Sequence, residues 1–80
     1  MEPMTFTDVL KLWPSPGELA RDLDIPVGVV KQWRRRDSIP PERWQALVTA
    51  AHGHGHMHIT TDFLASIAAR RYAAARSAAA

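Results

Sequence analysis

Eighty residues, with 10 Lys and Arg against 8 Asp and Glu, give a net charge of +2 and no cysteine. A chain of this size sustains one small core, so an enzyme cleft, a cofactor and a small-molecule substrate are not expected. Disulfides and thiolate metal sites are excluded outright.

Taken in chain order, the sequence carries helix signals and almost no strand signals. Thr7 is placed to cap a first helix running to about Trp13, with Val9, Leu10 and Trp13 on one side. Pro14 and Pro16 end it. Ser15-Pro16-Gly17-Glu18 has the form of a capping box with proline at the first helical position, opening a second helix from 16 to about 23. Leu19, Ala20 and Leu23 give that helix a narrow apolar stripe. Asp24-Ile25-Pro26 is a tight connection, and aspartate tolerates the left-handed conformation such a turn often requires. A third helix starts at Pro26 and runs to about Arg36. Asp37 and Ser38 break the pattern. Pro40-Pro41-Glu42 starts a fourth helix that turns Trp44, Leu47 and Val48 inward and ends near His52-Gly53. Residues 52–58 read as a glycine- and histidine-rich loop. Thr60 or Thr61 caps a fifth helix whose apolar contacts are Phe63, Leu64, Ile67 and Tyr72. The tail from Ala73 to Ala80 has high helix propensity but little to pack, and is expected to fray.

Charge is unevenly spread along these elements. Residues 1–25 carry Glu2, Asp8, Glu18, Asp22 and Asp24 against Lys11 and Arg21, whereas residues 26–36 carry Lys31, Arg34, Arg35 and Arg36 with no acid. A concentrated basic segment on a nearly neutral body suits a phosphate-rich partner, although a solvated helix face has the same composition. Spacing sharpens the point. Ala20 lies where two steeply crossing helices need a small side chain. Ile25, Val30 and Trp33 would anchor the third helix on the core. Val27, Gly28, Lys31, Gln32 and Arg35 are left on another face, which combines small residues with long hydrogen-bonding ones. A helix that enters a DNA major groove needs that combination.

The run from Gly17 to Trp33 resembles the helix-turn-helix of Cro and phage-repressor proteins. Its continuation, with Ile39-Pro40-Pro41-Glu42-Arg43 before Trp44, resembles more narrowly the YdaS-like Cro group of phage and prophage regulators. His58 to Leu64 is similar to that group's closing helix entry. Two positions depart from the pattern: Asp24 stands where glycine is usual, and Pro26 where a serine or threonine cap is usual. The resemblance implies an all-α fold, a five-helix bundle of the lambda-repressor-like kind. One domain would span residues 1–72, with the helix-turn-helix at 16–36 and an alanine-rich tail at 73–80. It implies that Lys31, Gln32 and Arg35 face base edges, with Val27 or Gly28 against a thymine methyl or the sugar-phosphate wall. Arg34 and Arg36 are expected on phosphates, which fix register without reading sequence. Ser15 and Gly17, at the N-terminus of the second helix, are expected to offer backbone N–H groups to another phosphate.

Other groups invite other uses. Trp13, Trp33 and Trp44 occur at helical spacing with apolar neighbours and are read as core. His52, His54, His56 and His58 stand at every second position, and alternation of His with Gly can bind nickel, copper or zinc, but a glycine-rich loop does not fix ligand geometry, and no functional metal site is expected. Charging of these imidazoles near neutral pH would add phosphate attraction. Phe63, Leu64 and Ile67 serve either the core or a dimer contact. Ala65, Ala68, Ala69 and Ala73 offer a close-packing face for a second copy, and Arg70, Arg71 and Arg76 an extended DNA footprint.

The expected function is therefore sequence-specific binding of double-stranded DNA by a transcriptional regulator, a repressor acting as a homodimer on a near-palindromic operator. The competing expectation is a protein-interaction module of antitoxin or adaptor type. No apolar stretch approaches the roughly 20 residues of a membrane helix, and the N-terminal residues lack a signal-peptide pattern. A cytoplasmic, nucleoid-associated location is expected.

Overall fold

The computed structural model describes residues 5–79, with side chains through residue 73. The described residues contain helices and no strand. In order these are α1 (Phe6–Leu10), α2 (Pro16–Leu23), α3 (Val27–Arg36), a 3-10 turn (Pro41–Arg43), α4 (Trp44–Gly53) and α5 (Thr61–Ala79).

One core holds them together. Leu19, Ile39, Leu47, Ile59, Leu64, Val9 and Val30 are fully buried, joined by Phe6, Leu10, Trp13, Ala20, Trp33, Ala51 and Ile67. The α3 helix packs against α1 and α2, and α4 packs against α2 and α5. Two of the tryptophans, buried Trp13 and half-buried Trp44, have their single donor satisfied. The Trp13 indole N–H donates to Asp22 Oδ2 at 2.9 Å, and that of the half-buried Trp44 donates to the Ile39 carbonyl at 2.8 Å. The Trp44 ring also lies 6.2 Å from that of Phe6, tilted by 35°. Such anchored aromatics contribute large buried area without an unpaired polar group.

Three of the helices end in the same way. After α2, Ile25 N–H bonds Ala20 C=O at 3.0 Å and Asp24 N–H bonds Arg21 C=O at 3.2 Å. After α3, Ser38 bonds Trp33 at 3.1 Å and Asp37 bonds Arg34 at 3.3 Å. After α4, His56 bonds Ala51 and Gly55 bonds His52, both at 3.0 Å. These are Schellman motifs, in which a left-handed residue lets two amides return to the last carbonyls. The left-handed residues are Asp24 (φ 56°), Asp37 (φ 51°) and Gly55 (φ 87°). Asp24 thus adopts the conformation expected of it.

Several boundaries differ from the sequence expectation. Thr5, not Thr7, caps α1, accepting from Asp8 N–H at 3.1 Å, and the helix stops at Leu10. Thr7 has another partner: its N–H and its hydroxyl both donate to Asp37 Oδ1 at 2.8 Å. Pro26 stands just outside α3 as its cap residue and supplies no side-chain hydrogen bond. The segment after Pro40 begins as a 3-10 turn, Pro41–Arg43, before α4. Thr60 is the cap of α5, accepting from Phe63 N–H at 3.0 Å. Tyr72 is 66% exposed and belongs to no core layer. The α5 helix extends through the alanine-rich tail to Ala79. Alanine carries the smallest helix penalty of any residue, and once α5 is nucleated by packing each further residue adds one bond.

Candidate nucleic-acid interface

The α3 helix divides its residues between two duties. Val30 and Trp33 point into the core, with Val29 half-buried beside them. Val27, Gly28, Lys31, Gln32 and Arg35 are all exposed. At 100° per residue these five lie within an arc of roughly 140°. None of their side chains makes a hydrogen bond or ion pair among the described residues. A Cβ added to Gly28 would meet nothing within 4 Å, so the chain's own packing does not require glycine there. Val27 is 41% exposed at the first turn of the helix.

The flanks of this face are built by other elements. On one side Thr7 and Lys11, from α1 and its end, join Lys31, Arg34 and Arg35 to line a shallow groove. No acidic side chain lines it. Lys11 belongs to this basic surface although it lies 20 positions before Lys31 and in an acid-rich stretch. The sequence reading missed it, because only the packing of α1 against α3 brings it there. The groove continues into a depression lined by Lys11, Pro14, Ser15, Pro16 and Arg34. Ser15 and the first turn of α2 therefore adjoin the basic surface. Pro16 has no N–H, and Ser15 Oγ accepts that of Glu18 at 3.3 Å, the forward half of the expected capping box. The Gly17 amide is then the donor of this turn without a partner among the described residues.

Arg36 is separated from Arg34 by about 160° around the helix. It lines a second groove with Gln32, Ser38, Pro40, Glu42 and Arg43. The four basic residues of α3 thus do not form one patch. Lys31, Arg34 and Arg35 share a side with Lys11, while Arg36 shares the other with Arg43 and one acid.

The residues assigned to α5 divide as well. Leu64 and Ile67 are 0% and 3% exposed and fill the chain's own core, so of their two expected roles they serve the core. Phe63 is half-buried, with the His58 ring edge-on at 6.1 Å. Ala68 packs against the core, whereas Ala65, Ala69 and Ala73 are exposed. Arg71 does not extend freely toward a ligand: its guanidinium donates to the carbonyls of Asp37 and, at 2.8 Å, of Arg36. Arg76 lies outside the described side chains.

The histidines are occupied separately. His52 Nε2 donates to the Ile59 carbonyl at 2.7 Å, and His54 Nε2 to Asp22 Oδ2 at 2.7 Å. The His54 ring is edge-on to Trp13 at 6.0 Å, and His56 is edge-on to His58 at 6.2 Å. Hydrogen bonds from His54 first, and then from Trp13, hold the Asp22 carboxyl below the usual carboxylate range. Among the described residues no group of three or more His, Asp or Glu converges as metal ligands would. Nor is any helix there long and apolar enough to cross a membrane.

No family model matches the chain, and neither a curated protein nor a solved structure matches it.

Proposed function

We propose that this protein binds double-stranded DNA with α2 and α3 acting as a helix-turn-helix and α3 lying in the major groove. One observation carries the reading. The exposed face of α3 combines Lys31, Gln32 and Arg35 with small residues, and an acid-free groove running to Lys11 and Ser15 borders it. The major groove is about 12 Å wide, enough for an α-helix whose contacting face is free of bulk. Arg and Lys donate to guanine O6 and N7, and Gln pairs with adenine N6 and N7. Val27 and Gly28 allow the first turn to approach closely. Lys11, Arg34, Ser15 and the Gly17 amide hold phosphates along one strand, and Arg36 with Arg43 holds those beyond the other edge of the helix.

The resemblance of residues 17–44 to Cro-type regulators extends the proposal to a transcriptional repressor. A single short reading helix covers few base pairs, so a useful site is near-palindromic and occupied by two copies. The test is selection of bound duplexes from a random-sequence pool, followed by titration over a range of salt. The expected result is a motif with two-fold symmetry and a steep fall in affinity as salt rises. Lys31→Ala and Arg35→Ala should relax the motif at single positions. Selection that returns no motif, with affinity insensitive to both substitutions, refutes the assignment and favours a protein partner for this face.

A further inference from the structure

The end of α3 is held by more of the molecule than its sequence announces. Its Schellman motif satisfies the carbonyls of Trp33 and Arg34. Two further carbonyls, at Arg36 and Asp37, are taken by the two terminal nitrogens of Arg71 on α5. Meanwhile Asp37 Oδ1 accepts two bonds from Thr7, which fastens the same point to the first turn of α1. Three helices distant in sequence therefore meet at residues 36–37. The Arg71 cation also sits at the negative end of the α3 dipole, despite the three arginines of the last turn. At the opposite end of α3, Pro26 provides no side-chain cap. Polar anchoring of this helix is concentrated at its C-terminus.

We infer that Arg71 is a positioning residue that fixes the tilt of α3 and thereby the register of its base-facing side chains. The inference rests on the DNA-binding reading of α3. A helix of 10 residues is about 15 Å long, so a 5° tilt pivoting at the C-terminus moves the first turn by about 1 Å. Hydrogen bonds to base edges do not tolerate that displacement, whereas phosphate attraction at a distance does. Arg71 thus acts on specificity and not on the count of phosphates neutralised.

Arg71→Lys keeps the charge and loses the fork that spans both carbonyls; Arg71→Gln loses both. Each is compared with wild type on a duplex selected from the random pool and on a random-sequence duplex, well below the thermal midpoint of every variant. The expected result is a ratio of selected to random affinity reduced by about tenfold in Arg71→Gln and by less in Arg71→Lys. The dependence of log affinity on log salt should keep its wild-type slope. In the free proteins, amide exchange at Asp37 and Ser38 should accelerate in both variants. A salt slope reduced by about one in Arg71→Gln, with Arg71→Lys like wild type, would make Arg71 a phosphate contact and overturn the inference. An unchanged affinity ratio in both variants overturns it too. If wild type itself shows no sequence preference, the DNA reading falls and takes the inference with it. Unaltered amide exchange on a DNA-reading protein sinks the positioning role alone.

Discussion

Two aspartates occupy left-handed positions at helix ends, and replacing each with glycine should change stability in opposite directions. An L-residue in this conformation carries a penalty of roughly 1–2 kcal/mol, least for Asn and Asp. Glycine removes that penalty but gives the unfolded chain more freedom, so the net gain is about 0.5–1 kcal/mol. Asp24 is exposed and the bonds it makes are those of its backbone, so Asp24→Gly should collect the whole gain. Asp37 also accepts the Thr7 N–H and hydroxyl, each at 2.8 Å. Hydrogen bonds to a charged group contribute about 1.5–3 kcal/mol each, and both residues are only partly buried, so about 3 kcal/mol for the pair is the appropriate scale. Asp37→Gly should therefore lose about 2 kcal/mol net. In a domain of this size 1 kcal/mol moves the thermal midpoint by roughly 4–8 °C. Melting followed by far-UV circular dichroism should show Asp24→Gly raised by about 2–8 °C and Asp37→Gly lowered by about 8–16 °C. Asp37→Asn keeps an acceptor at Oδ1 without the charge and should fall between Asp37→Gly and wild type. An Asp37→Gly protein at least as stable as wild type would show that the contact to α1 contributes nothing, and the bracing of α3 would have to be sought elsewhere.

Lys11→Ala should weaken binding to selected and random duplexes by similar factors and reduce the salt slope by about one, as a phosphate contact does; an unchanged slope would remove Lys11 from the interface. Gly28→Ala should stabilise the free protein by up to about 1 kcal/mol, since glycine is costly inside a helix and open space surrounds it, while weakening the complex. Equal or better DNA affinity for that variant would argue against close approach at Gly28. Asp22 gives a pH dependence of known sign. Its carboxyl is lowered in the folded state, so its contribution is complete above the ordinary value of 3.8 and is lost as pH falls through the lower folded value. The stability advantage of wild type over Asp22→Asn, about 0.5–1 kcal/mol for so exposed a pair, should shrink on acidification below about pH 4. A difference that instead grows as pH falls below about 4 contradicts the role given to His54 and Trp13.

Much of this architecture is legible in the sequence because its signals are local. Ser15 and Glu18 announce the start of α2, Asp24 its stop, and the i, i+3 spacing of Val30 and Trp33 the buried side of α3. What was illegible depends on contacts between distant residues. Ile39 and Ile59 are almost wholly buried, yet they lie in connections where no period marks an inward face. Thr7 carries the composition of a cap and spends both donors on a residue 30 positions away. Lys11 enters the basic groove only through the crossing of α1 and α3. Arg71 has the appearance of a surface cation, and nothing nearby in sequence indicates that α3 ends within its reach. Arg34 and Arg36 were grouped by adjacency, whereas helical geometry sends them to opposite edges.

The division of labour within α3 bears on what its exposed face is for. Val30 and Trp33 satisfy the core, the Asp37 carboxylate satisfies α1, and the terminal carbonyls satisfy α5. The fold asks nothing of Val27, Gly28, Lys31, Gln32 or Arg35. Solubility alone would explain the three long polar residues, but a solvated helix face is better served by alanine or glutamate than by the glycine at position 28. In the proposed reading, Gly28 and Val27 let another surface come close. They occupy the first turn of α3, and in the proposed reading the N-terminal residues of the helix contact base edges. The least charged residues of the face are therefore the ones on which the proposed groove contact is most directly tested.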